Sequence, residues 1–174
     1  MNIWRIVLIS ISFVSAPYFM LEACVAAPKT AVTAWPAPKA PSVIYSLQYL
    51  LRARGFAVKA DGQFGSQTRR QVIKFQRSRH LKADGVVGAQ TWKALIIPVK
   101  KGDRGNAVRA LQTLYLSEFD WPLSGGIFGT KTENWIKDFQ RNSSLKPDGI
   151  VGPITWKALL IAASEPNPYT GELQ

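Results

Sequence analysis

The feature that most restricts the fold of this 174-residue chain is a direct internal repeat. Val43–Ile96 aligns onto Ala107–Leu160 without a gap, with about 21 of roughly 54 pairs identical. The identities are ordered. Leu47-Gln48 returns as Leu111-Gln112, Phe64-Gly65 as Phe128-Gly129, Phe75-Gln76 as Phe139-Gln140, and Thr91-Trp-Lys-Ala-Leu95 as Thr155-Trp-Lys-Ala-Leu159. A chain built this way folds as two copies of one small unit.

Within each copy the apolar residues recur at helical spacing. Ile44, Leu47, Leu50 and Leu51 form one stripe, Val72 and Phe75 with Thr68 a second, and Trp92, Leu95 and Ile96 a third, which predicts three short helices per repeat and an all-α fold. Ser66 and Thr130 are candidate N-caps, Thr130 with Glu133 reads as a capping box, and Pro153 suits a first helical position. No run alternates long enough to demand a strand, although residues 56–64 leave room for a short hairpin.

A finer repetition precedes the helices. Asp61-Gly-Gln-Phe-Gly65, Asp84-Gly-Val-Val-Gly88, Gly125-Gly-Ile-Phe-Gly129 and Asp148-Gly-Ile-Val-Gly152 are four versions of one turn. Its aspartate can accept a bond from its own backbone two residues on. Its first glycine accepts positive φ, and its central Phe or Val plugs the core.

The flanks read differently. Met1–Arg5 is a short positive start, and Ile6–Leu21 is apolar but shorter than a membrane span and interrupted by Pro17, so residues 1–26 read as a signal peptide cut near Ala26 and the chain as exported. Such a cut would discard Cys24, the sole cysteine. The alternative is a lipidated Cys24, since Leu21-Glu22-Ala23-Cys24 resembles a lipoprotein box, from which acidic Glu22 departs. Membrane contact is expected only if the segment stays uncleaved or Cys24 carries lipid. Residues 27–41, with four prolines among alanines and lysines, read as a linker, 42–97 as repeat 1, 98–161 as repeat 2, and 162–174 as a disordered tail.

The motifs resemble the peptidoglycan-binding domain family. Gly102-Asp-Arg-Gly-Asn-Ala-Val-Arg-Ala-Leu-Gln112 is similar to its entry, Asp61-Gly-Gln-Phe-Gly65 to its turn, and Asp148 to Leu159 to its close. The resemblance spans Ser42 to Ile161 and implies a tandem three-helix fold that binds the stem peptides and glycan of the wall. Repeat 2 departs from the pattern where Gly125 replaces an aspartate and where Trp135 stands in place of a small residue.

A receptor for this polymer needs donors for carboxylates and aromatic or amide surfaces for sugars. The turns supply Asp61, Gly62, Phe64, Gly65, Asp84, Gly85, Phe128, Gly129, Asp148 and Gly149 as candidate binding residues. Helix N-termini emerging from the turns offer N–H groups to an anion. Arg69 and Arg70 open a basic cluster in repeat 1, where ten basic residues face two acidic ones, against nine and six in repeat 2. The overall +11 charge makes other wall polyanions a possible partner. Trp121 and Trp135 are candidate sugar-stacking residues, whereas Trp92 and Trp156, at helical spacing with Leu95 and Leu159, read as core. Gln48, Gln76, Gln112 and Gln140 read as ties between helices.

Catalysis is not expected. His80 is the only histidine, there is no Cys-His pair once Cys24 is gone, and the aspartates are better explained as turn formers than as a glycosidase pair. The reading is therefore a non-catalytic wall-binding protein that needs no cofactor or metal. A separate wall hydrolase is a candidate partner, and no nucleic acid is expected. The alternatives are a small hydrolase or its accessory subunit, and a generic polyanion binder.

Overall fold

The computed structural model describes residues 34–115 and 125–165. The signal segment, Cys24, Trp121 and the end of the tail lie outside the described residues. Six helices follow in order: α1 Pro41–Ala53, α2 Ser66–Ser78 and α3 Ala89–Leu95 in repeat 1, then α4 Asn106–Tyr115, α5 Thr130–Asn142 and α6 Pro153–Ala162 in repeat 2. Among the described residues the only strand-like features are two isolated bridges, Val99 with Val151 and Arg104 with Ile127, so residues 56–64 form no hairpin.

The predicted stripes are the core. Leu47, Leu50, Leu51, Val72, Phe75, Trp92 and Leu95 are all fully buried, as are their counterparts Leu111, Ile136 and Trp156. Both tryptophans lie inside, and each indole donates outward to a carbonyl preceding its own repeat: Trp92 Nε1 to Pro36 at 2.9 Å and Trp156 Nε1 to Ile97 at 2.8 Å. The Trp92 bond and the packing of Trp35 on the core bring the end of the proline-rich stretch into repeat 1. Proline rigidity there presents a fixed carbonyl to the indole.

Helix starts differ from expectation by one residue. Gly65 and Gly129 are the N-caps, in extended conformation, while Ser66 and Thr130 are the first helical residues and make no capping bond. The turn delivers the chain through an extended glycine, which leaves Ser66 and Thr130 one position too late. Glu133 accordingly reaches Lys101 at 2.8 Å and Lys137 at 3.0 Å rather than closing a capping box. Pro153 is in the first turn of α6, as its locked φ favours.

Helix ends are stitched as well. Leu81 N–H donates to the Gln76 carbonyl and His80 N–H to that of Arg77, with His80 left-handed at φ 54°, a conformation its equivalent Ser144 shares at 56°. The guanidinium of Arg54 gathers the carbonyls of Ala94, Leu95 and Ile96 at 2.8–3.1 Å, so a cation closes the C-terminal end of α3.

Most contacts between helices join the two repeats, because α1 packs chiefly along α4, its own counterpart. Ser46 and Ala110, at equivalent positions, are both fully buried, and small side chains of this kind let two helix backbones approach closely. The hydrophobic cluster is continuous from Val43 to Leu160 across both repeats. A unit of about 55 residues has little core to spare, and the shared α1–α4 face adds to what each repeat buries.

Candidate functional site

The four turns are built around a buried glutamine from the preceding helix. Gln48 accepts from the Asp61 and Gly62 N–H groups at 3.0 Å through Oε1, and its Nε2 donates to Asp61 Oδ1 at 2.9 Å, the Gln63 carbonyl at 3.0 Å and Thr68 Oγ1 at 3.1 Å. One amide thereby ties α1 to the turn and to the start of α2. Gln76 repeats the pattern with Asp84, Gly85, Val86 and Thr91, and Gln140 with Asp148, Gly149, Ile150 and Thr155.

The aspartates complete each turn. Asp61, Asp84 and Asp148 each accept, through the Oδ1 that meets glutamine, the N–H two residues on at 2.9–3.0 Å. All three carboxyls titrate below their ordinary range. The leading cause is the Gln48 bond for Asp61, the Val86 N–H for Asp84 and the Ile150 N–H for Asp148. Glu133 is held down by Lys101 first and Lys137 second. Depressed folded values mean that these groups favour the folded chain fully above the unfolded carboxylate range, about pH 4–4.5, and lose that contribution as pH falls through the lowered values. Melting temperature is therefore expected to hold level from pH 7 to about 5 and to drop below about 4. Circular dichroism melts across that range check this, and a melting temperature unchanged at pH 3 would contradict it.

The first turn of repeat 2 is held differently. Gly125 and Gly126 are both left-handed, at φ 54° and 73°. Gln112 Nε2 donates to the Ile127 carbonyl at 3.0 Å, and the backbone of residues 102–105 supplies the rest: Gly105 N–H to Gly126 O at 2.8 Å, Phe128 N–H to Asp103 O at 2.9 Å and Gly102 N–H to Phe128 O at 3.0 Å. The missing aspartate thus accompanies a changed backbone path, closed by main chain instead of a carboxylate.

The glycines lie under side chains. Gly62 is covered by the Tyr45 ring, Gly85 by the stem of Arg69, Gly126 by that of Arg109 and Gly149 by Lys137 and Glu133. Phe64 is half-buried against the core and Phe128 is inside it. Gly65 and Gly129 start helices. Arg69 donates to the Asp84 carbonyl at 3.1 Å, while Arg70 is exposed. Trp135 is half-buried and packs on the core. The described candidate residues are therefore distributed over four separate turns and the helices α2 and α5 that follow two of them.

Sequence reasoning found the glutamines as ties but missed the covering residues Tyr45, Arg109 and Lys137. Their signal was present, since Tyr45, Arg109 and Lys137 each stand three residues before a turn-locking glutamine, one helical turn away. Among the described residues no three of His, Cys, Asp or Glu come together as metal ligands would.

Two fused copies of a three-helix unit, with glutamine-locked glycine turns on each, define a tandem helical recognition module. The chain belongs to the peptidoglycan binding domain family, whose model matches residues 42–95 and 104–159. It is 33% identical over 149 residues to a Bacillus licheniformis protein named "Probable N-acetylmuramoyl-L-alanine amidase", covering 68% of this chain and 42% of that one. It is 45% identical over 69 residues to an uncharacterized Kitasatospora aureofaciens protein, 38% of this chain and 58% of that one. With the N-acetylmuramoyl-L-alanine amidase CwlM of Mycobacterium tuberculosis it shares 34% identity over 114 residues, 58% of this chain and 28% of that one. The chain therefore matches less than two thirds of the length of each of these relatives. No solved structure matches it.

Proposed function

We propose that this protein is exported and holds peptidoglycan through its two repeats without cutting it. The observation that carries the reading is the double family match, which takes in nearly all of the six described helices. Engagement of the turn carboxylates with glutamine and backbone N–H groups supports turn building over acid–base work for Asp61, Asp84 and Asp148. The N-termini of α2 and α5 carry no side-chain cap, which leaves N–H groups of their first turns and the helix dipoles available to stem-peptide carboxylates. Arg69 and Arg70, where the first turn of α2 passes into the second, add charge of the same sign.

Two relatives named as amidases extend well beyond the matched region, which favours a second reading in which the chain accompanies a separate wall hydrolase. Because the repeats share a core, the test uses the whole chain. The protein is expected to pellet with purified sacculi at physiological salt and to release no dye from labelled sacculi. Failure to pellet would remove the binding reading. Dye release abolished by Asp84→Asn would make the chain a hydrolase, and binding to DNA that matches binding to sacculi at every salt concentration would reduce it to a polyanion binder.

A further inference from the structure

A hollow of about 550 Å³ lies between the loop after α1 and the start of α4, lined by Arg52, residues 55–59 including Phe56 and Lys59, Gln67 and Asn106. Asn106 comes from repeat 2 and the others from repeat 1, so the hollow exists only in the tandem. It is shallow and open to solvent, a form that suits an extended ligand lying along the surface. Two cations and no carboxylate line it. The Arg52 guanidinium stands over the Tyr49 ring, with 5.8 Å to the centroid.

The charge continues along α2. With 3.6 residues per turn, Gln67, Arg70, Lys74 and Arg77 fall within an arc of about 80°. All four are exposed, and Gln67 is shared with the hollow. None of Arg52, Lys59, Arg70, Lys74 and Arg77 is ion-paired with a carboxylate among the described residues. The corresponding arc of α5 reads Lys131, Asn134, Asp138 and Arg141, where Arg141 is paired with Asp138. Among the described residues the α2 arc holds three cations outside ion pairs and meets the hollow at Gln67, where Lys59 on the rim also feels the Asp61 carboxylate.

We propose that the hollow and the α2 arc form one binding track for a short peptide bearing carboxylates, the chemistry of a wall stem peptide. This assignment rests on the wall-binding reading above. The cations receive the carboxylates, the side-chain amides of Gln67 and Asn106 meet peptide groups, and Phe56 supplies an apolar wall. Those amides and that wall favour a peptide over a phosphate polymer, for which the cations alone would serve.

The test is an NMR titration of the full chain with the tetrapeptide Ala-Glu-Lys-Ala, beside the same peptide with both carboxylates amidated. The acidic peptide is expected to shift the side-chain amides of Gln67 and Asn106, and the amidated form to leave them in place. Arg52→Glu and Lys59→Glu are each expected to weaken binding about tenfold or more, whereas Lys93→Glu, an equal charge change at an exposed position of α3, alters it less than about twofold. Asn106→Asp keeps the helix start favourable, because an acidic residue suits an N-terminus, and should weaken binding through repeat 2. Equal binding of the two peptides, or equal effects of Arg52→Glu and Lys93→Glu, would overturn the track. A chain that pellets with sacculi yet gives no shift with the acidic peptide would overturn the track alone. One that does neither would bring down the wall-binding reading with it.

Discussion

Gln76→Leu is expected to destabilise the chain by about 2–4 kcal/mol, although it exchanges one side chain of moderate size for another. Gln76 is 1% exposed, and removing its amide strands the buried Gly85 N–H and takes one bond each from the Val86 carbonyl, which keeps the Gly88 N–H, and the Thr91 hydroxyl, which keeps Val86. The stranded N–H costs about 1–3 kcal/mol and each lost bond about 0.5–1.5, and Leu regains only part of this through burial. Gln76→Glu gives an independent check. Glutamate can still accept from Gly85 but cannot donate to Val86, and it sets a carboxylate beside that of Asp84. It is therefore expected to be severely destabilised at neutral pH and partly rescued in mild acid, where the new carboxyl takes up a proton. Urea unfolding at two pH values measures both. A Gln76→Leu midpoint equal to that of the parent chain would show that the turn is not held this way.

Gly126→Ala is expected to cost about 3 kcal/mol or more, and Gly125→Ala about 1. Both positions are left-handed, so the strain of a side chain is common to them. They differ in what the new methyl would meet. At 126 it would stand 2.8 Å from the Gly105 carbonyl oxygen and 2.8 Å from Arg109 Cγ, whereas at 125 it meets nothing within 4 Å. Arginine can swing away, but backbone yields only by loosening the bonds between residues 102–105 and 126–128. The gap between the two variants, read from thermal or urea unfolding, isolates that backbone contact. Equal losses would mean that left-handed strain alone governs this turn.

These expectations depend on details of unequal visibility in the sequence. The helices were legible because Ile44, Leu47, Leu50 and Leu51 mark a face whatever their partner. The turns were legible because Asp-Gly chemistry is local. Helix starts were displaced by one residue, since Ser66 and Thr130 have the composition of a cap while Gly65 and Gly129 have its geometry. The α1–α4 pairing was not legible, because Ser46 and Ala110 matter for what they lack, and a small side chain leaves no periodic mark. Of the candidate site, the basic character of α2 could be read directly. The hollow could not, as Arg52, Lys59, Gln67 and Asn106 converge only through tertiary packing.

The pairing of α1 with its own counterpart has a consequence for how such a surface can specialise. Two separate identical chains joined through that helix would carry every substitution twice, so any cation placed at one rim of the joint would recur at the other. Covalent fusion removes this constraint and makes assembly independent of protein concentration. Arg52 and Lys59 have Leu116 and Leu123 as counterparts. The molecule is in effect a dimer written on one chain, free to place charge beside one copy of the helix without repeating it beside the other.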